Sequence, residues 1–522
     1  MIIGNSSLKQ NLIKRARAFP VASQIGKCWR RPKNLGRFFH FQINIRSVGT
    51  LSLLLITFGA IFSVILIGMI NDLSADTIET IDVAEKSKTT GKKTNIIFFL
   101  ADDLGYGDVQ CYGSKDIKTP VLDSLASEGV RFTDGYAAFP VCSPSRAAIV
   151  TGRYPQRFGP AFEDYFGGGS PGLNPEKHMT IAARLKKNGY VTGCFGKWNV
   201  SNSGSVAANK FGFDRWVGLH LNHDYYTHRL LSNNELDMYI DGQPTDRYSG
   251  IWSDTVFANE AIRFIEDNKD RPFFIYLPWQ APHDPIQDPN APFDPPKKNL
   301  PENRHLLIKM IERLDTETGR VLAALETHGL SENTLVIFTS DNGGAPKIAN
   351  NGPLRGAKQE LYEGGIRVPL LIRWPRVVRP NQIISTPVNS LDLTATIAEV
   401  AKLSLTTGPA FDGQSLMPIL EGSGKLSDNR PLFFRRRMVN IRQDQFFIRQ
   451  SALRKGDMKY VRSYKFLGNG KYSDQYIEEL FNLKEDVSES KNLINSAPEQ
   501  IATLRGLFES WEREMGSTSS TP

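Results

Sequence analysis

An α/β fold built on a large, mainly parallel sheet is the architecture the sequence predicts, and three observations predict it. Apolar runs of strand length recur without polar alternation, at residues 95–100, 190–195, 272–277 and 335–339. Such runs suit strands buried on both faces. Helical periodicity alternates with them, over 119–128, 180–188 and 304–326. In the last of these Leu307, Ile311, Leu314, Thr318, Val321, Leu322 and Leu325 share one face. Each strand also ends in a polar cluster: Asp102-Asp103, Lys197-Trp198-Asn199, His283 and Asp341-Asn342. Ligands of open α/β sheets bind outside the carboxyl ends of the strands, so the four clusters are expected to share one site.

The chain begins with a basic tail, 1–46, holding ten Lys/Arg and no Asp or Glu. Without those ten charges the net +8 becomes about −2, so the high pI describes the tail. The body shows no footprint of a nucleic-acid partner. Residues 51–70 carry no charge over twenty positions, enough to span a bilayer core as a helix. With the basic flank before it, segment 47–72 reads as an anchor that keeps the tail cytoplasmic and exports the body to the periplasm or exterior. A cleaved signal peptide, giving a secreted protein, is the alternative. A polar linker, 73–93, follows.

The expected catalytic domain occupies 94–425. Within it, 352–358 and 363–369 form a Gly-rich, basic loop, and 390–400 is a helix that Ser390 is placed to cap. A polar hinge at 421–430 leads into a small α+β domain, 426–522, with short strand-like pieces and a final helix from Pro498. Four cysteines are too few for a disulfide scaffold, and none has zinc-site spacing. Cys111 and Cys194 either pair or fill the core.

One stretch, 140–154, organises the rest. Ser143 is placed to cap a helix with Pro144 at its first position, and Gly152 ends it. Cys142 then lies just outside a helix N-terminus, where N–H groups and the dipole favour negative charge, with Arg146 one turn in. A buried capping cysteine would look the same in isolation. The rest of the constellation gives the stretch its meaning. Asp102, Asp103, Asp341 and Asn342 are hard oxygen donors whose mutual repulsion calls for a cation, Ca²⁺ or Mg²⁺. Arg146, Lys197, His283 and Lys358 supply positive charge for a tetrahedral oxyanion.

At these residues the chain resembles the type I sulfatases. The resemblance rests on Cys142-x-Pro144-x-Arg146 followed by Thr151-Gly152-Arg153, on the Asp102-Asp103 strand end, on Ser340-Asp341-Asn342-Gly343-Gly344 and on the 352–369 loops; it runs over about 94–495. It implies an alkaline phosphatase-like sandwich, with a large mixed sheet between helices and a small C-terminal α+β domain. It implies that a formylglycine-generating enzyme oxidises Cys142 to an aldehyde whose hydrate attacks sulfur. By the same resemblance Asp102, Asp103, Asp341 and Asn342 hold Ca²⁺ with residue 142, and Arg146 steadies the hydrate. Lys197 and Lys358 bind sulfate oxygens, and His283 protonates the departing alcohol with Lys358 helping. The implied substrate is a sulfated carbohydrate or aryl sulfate.

One departure stands out. The family usually reads Gly-Lys-Trp-His where this chain has Asn199, and Asn lacks useful basicity near neutral pH. His178, His220, His223 and His228 are candidates to serve instead. A phosphoester or phosphonate hydrolase of the same superfold, or a weakly active sulfate binder, are the competing readings.

Overall fold

The computed structural model describes residues 91–164, 172–201, 206–404, 406, 408–437, 448–468 and 471–516. The expected tail, the charge-free span 51–70 and nearly all of the linker lie outside the described residues. Among the described residues no helix is long and apolar enough to cross a membrane.

The strands, in chain order, are β1 (Asn95–Ala101), β2 (Val130–Phe132), β3 (Gly135–Tyr136), β4 (Val191–Lys197), β5 (Arg215–Leu219), β6 (Tyr239–Ile240), β7 (Gln243–Pro244) and β8 (Phe273–Pro278). They continue with β9 (Thr334–Ser340), β10 (Leu370–Arg373), β11 (Gln382–Ile384), β12 (Val388–Asn389), β13 (Leu432–Arg436), β14 (Ile448–Lys455), β15 (Met458–Gly468) and β16 (Lys471–Asn482). Ten of them form one mixed sheet in the order β11-β2-β10-β9-β1-β8-β4-β5-β6-β7. Its centre is parallel: β1 pairs with β8 and β9, and β4 with β8 and β5. The carboxyl ends of β1, β4, β8 and β9 therefore open on the same edge.

Both faces of this sheet are covered, which is why the strands are continuous apolar runs. Ile97 and Phe99 of β1 pack into one core with Leu122, Phe257 and Leu314, from the helices Pro120–Ser127, Ser253–Asn268 and Arg304–Thr327. Ile96, Phe98 and Leu100 point the other way. They pack with Ile149, Leu185 and Ile397, from the helices Cys142–Thr151, Ile181–Lys187 and Ser390–Val400. Alternate side chains of a strand leave on opposite faces, so each strand feeds both cores.

The small C-terminal domain is an antiparallel four-stranded sheet, β13-β14-β15-β16, with the helix Pro498–Glu514. It joins the large part through buried charge. Lys459 of β15 donates to Glu363 and pairs with Glu489, all of them shielded from solvent.

Two expected caps are corrected. The helix carrying Cys142 starts at that residue, with Val141 as N-cap, so Cys142 lies in its first turn and not outside it. The Ser143 hydroxyl is drawn to Asn199 Oδ1 at 2.9 Å, and the Val141 carbonyl accepts from Ser145 N. Gly152 closes the helix in the left-handed conformation, φ 67°. Ser390 does not cap its helix either. Asn389 and Asp392 form a capping box there, and the Ser390 hydroxyl accepts from Ala138 N. The cysteines Cys111 and Cys194 are free thiols, Cys194 in the core and Cys111 half-buried.

Candidate active site

The four strand ends meet as a compact cluster of charge. Ligand atoms of Asp102, Asp103, Cys142 and His283 lie within 4.8 Å of one another, and all four residues are buried. Asp102 and Asp103 follow β1, with Asp103 in a left-handed backbone conformation, φ 64°. Asp341 and Asn342 follow β9, and Asp103 N donates to Asp341 Oδ1. Lys197 is the last residue of β4, and its Nζ donates to Asp102 Oδ2 at 2.5 Å. His283 follows β8 by five residues. The loop bearing it is braced by Asp254, whose carboxylate accepts from Gln280 N and Ala281 N. The phenol of Tyr225 donates to the His283 carbonyl.

Arg146, one turn into the helix Cys142–Thr151, ties three of these tips together. Its Nε donates to Asp341 Oδ2 at 2.9 Å and its Nη1 to the Lys197 carbonyl at 2.9 Å. Its Nη2 sits 3.4 Å from Asp102 Oδ1. Lys358 arrives from the Gly-rich loop and donates to Asp103 Oδ2 at 2.7 Å, with His283 Nε2 3.0 Å away. That loop closes against the β9 end, where a Cβ on Gly343 would lie 1.9 Å from the Gly364 carbonyl.

These contacts fix the ionisation. Burial resists the charge on Asp102, but Lys197, His283, Arg146 and Lys358 outweigh it and hold its carboxyl well below the usual range. Asp341 goes the other way, to about 6, through burial and the neighbouring Asp102 charge. Burial and Lys358 oppose protonation of His283, yet Asp103, Asp102 and Asp284 prevail and raise it to about 9. Lys358 is itself held protonated by Asp103 against its burial.

The donor set fits a hard divalent cation. Asp102 Oδ1 and Asn342 Oδ1 are both buried and accept no hydrogen bond, while Asn342 Nδ2 donates to Asp103 Oδ1. Two orphaned oxygens beside three carboxylates are the complement of a metal ion.

Asn199, in the left-handed region at φ 49°, is bonded at both ends. Its Oδ1 accepts from Ser143 and its Nδ2 donates to the His220 carbonyl. Three of the other candidate histidines are engaged elsewhere: His178 with Asn174 N, His223 with Ser253 and the Asp237 carbonyl, and His228 with the Ile251 carbonyl. His220 packs its ring against Trp216 and Tyr239. Sequence reasoning missed Asp254, Asp284 and Asn222, which bear on His283. Asp284 Oδ1 lies 3.0 Å from His283 Nδ1, and Asn222 Nδ2 lies 3.1 Å from Nε2. Only Asp284, adjacent in the chain, carried a readable signal.

Several known proteins resemble this chain. The sulfatase family model matches residues 94–403, and the model for the C-terminal region of N-sulphoglucosamine sulphohydrolase matches 357–510. Steryl-sulfatase of Rattus norvegicus is 32% identical over 429 residues, covering 66% of this chain and 73% of its own. Human N-acetylgalactosamine-6-sulfatase is 34% identical over 365 residues, covering 66% and 68%. Human arylsulfatase A is 35% identical over 367 residues, covering 65% and 70%. Among solved structures, Ps i-CgsB in complex with k-i-k-neocarrahexaose superposes with a TM-score of 0.71 at 30% identity, covering 82% of this chain and 94% of that one.

Proposed function

Because the chain belongs to the sulfatase family and is a sulfuric ester hydrolase, we propose that its substrate is a sulfated carbohydrate, that Cys142 is oxidised to formylglycine, and that Asp102, Asp103, Asp341 and Asn342 hold Ca²⁺. The observation that carries this reading is the grouping of Cys142 with Asp102, Asp103 and His283 in one buried cluster. Formylglycine would supply a nucleophilic hydroxyl as its hydrate, and Ca²⁺ would supply a fixed positive charge for the sulfate.

The chain's own residues do the remaining work. Lys197 and Lys358 bind sulfate oxygens as point charges. Arg146 keeps the Asp341 carboxylate and the Lys197 backbone in register with the nucleophile helix. His283, charged at neutral pH, protonates the leaving oxygen. Asn199 holds Ser143, the residue after the nucleophile, and with both amide ends engaged it takes no proton. A carbohydrate substrate is supported by the oligosaccharide bound to Ps i-CgsB. A formylglycine-generating enzyme is the partner this chemistry requires. Residues 51–70 are proposed as an anchor that leaves the body exported.

The test is a mass measurement on the tryptic peptide of Cys142 from native-source protein, followed by assay. Conversion of Cys142 with faster turnover of aryl sulfate than of aryl phosphate is expected. An unmodified thiol throughout, or faster phosphate hydrolysis, overturns the nucleophile assignment. Release of sulfate from a steryl sulfate but not from sulfated oligosaccharides overturns the substrate class.

A further inference from the structure

The Lys358 ammonium reaches Asp103 and His283 from a loop whose backbone is held in an unusual shape. Gln359, the next residue, has φ 86°, a conformation that a long side chain rarely adopts. Something must hold it there. Three separate segments do. Lys358 N donates to the Gly344 carbonyl, just after the Asp341-Asn342 tip. Gln359 N donates to the Pro140 carbonyl, two residues before Cys142. The Gln359 carbonyl accepts from Arg436 Nη1 at 2.6 Å.

Arg436 is the last residue of β13, in the small C-terminal sheet. Its side chain is buried, and its Nη2 is fixed by Asp164 at 3.0 Å. Next to it Arg435 pairs with Glu163 at 2.6 Å, so the strand end is anchored to the 160–164 segment on both residues. The guanidinium thus bridges a fixed carboxylate and a strained carbonyl. It offers the two donor groups in a rigid plane that such a bridge needs.

We propose that Arg436 is a positioning residue for sulfate-ester hydrolysis: it pins the Gln359 carbonyl and so sets Lys358 against Asp103 and His283. The small domain contributes to the reaction through this contact. Among the described residues Arg436 bonds to Gln359 and Asp164 and to none of the reacting groups, although Cys142 lies within reach of its charge. The inference rests on Lys358 acting on the sulfate, as argued above.

The experiment is a double-mutant cycle in the full chain with converted Cys142, read as kcat/KM on an aryl sulfate. Arg436→Met is expected to lose about ten- to a hundredfold, the scale of a small misplacement of a catalytic group. In a Lys358→Ala background the same change is expected to lose less than about threefold, because the group it positions is gone. Arg436→Lys, which keeps one donor and the charge, is expected to fall between and serves for the cycle if Arg436→Met does not fold. Equal losses in both backgrounds overturn the proposal. Unchanged activity of Arg436→Met with Lys358 present overturns it as well. Undiminished activity of Lys358→Ala itself would overturn the underlying role of Lys358, and an inert wild type the reading of the site as a whole.

Discussion

His283→Gln separates proton donation from every other function of the site. His283 Nε2 lies 3.0 Å from Lys358 Nζ and 3.4 Å from Asp103 Oδ2, so the ring is inside the charged cluster. Burial and Lys358 oppose its charge, Asp103, Asp102 and Asp284 favour it, and the balance raises it to about 9. With no cation at Asp103, a group with that value is about 97% protonated at pH 7.5, against about 9% for an ordinary histidine near 6.5, and a bound cation lowers the first figure. Asp103 holds the Lys358 ammonium protonated against its burial, which makes Lys358 the poorer donor. Loss of a general acid costs about a hundred- to ten-thousandfold, roughly 3–5 kcal/mol of barrier. A sugar oxygen needs that proton to leave; a nitrophenolate hardly does. His283→Gln should therefore lose the full factor on a sulfated oligosaccharide and about tenfold or less on nitrophenyl sulfate. Paired kcat/KM measurements on the two substrates, over a range of pH, test this. The wild-type basic limb should fall between 6.5 and 9, since a cation beside Asp103 offsets part of that carboxylate's pull. Equal losses on both substrates, or a basic limb below 6.5, would refute the assignment.

Removal of the divalent ion should be visible in stability as well as activity. At about a hundred times its Kd a ligand adds about 2.7 kcal/mol, which for a body of about 430 residues is about 3 °C in Tm. Calorimetry with chelator and then with excess Ca²⁺ should show this shift, and Asp341→Asn should shrink it. Lys459→Met should lower Tm by several degrees, because it leaves Glu363 and Glu489 buried together without their shared cation, at a cost of about 3–5 kcal/mol; an unchanged melting curve would show that solvent reaches the pair. Gly343→Ala should abolish most activity in a chain that still folds, since its Cβ would collide with the Gly364 carbonyl and part the Asp341-Asn342 tip from the Lys358 loop. Near-normal turnover of that variant would mean that the loop yields freely.

What could be read from the sequence divides along a physical line. The central strands were legible because burial on two faces leaves a local mark. The apolar runs at 95–100 and 335–339 became β1 and β9, each buried throughout. The polar tips were legible because chain direction in a parallel sheet brings successive strand ends to one edge, so Asp102, Lys197, His283 and Asp341 needed no long-range information to be grouped. Hydrogen-bond partners were not legible. Ser143 obeys the composition rule for a cap, yet its hydroxyl belongs to Asn199, 56 positions away in the chain. Asp254 is one of 55 acidic residues, and only the fold sets it against the backbone of Gln280 and Ala281. Arg436 lies 77 positions from Gln359. A cap or a brace acts through one directional contact, which leaves no periodic trace, whereas a buried face repeats with every second residue. It follows that the residues tuning His283 and Lys358 differ in kind from those forming the pocket. The pocket survives any sequence that keeps the strands and their tips, and the tuning changes with single side chains such as Asp284 or Arg436. Differences in substrate preference among chains sharing this pocket should therefore track the bracing residues sooner than the tips.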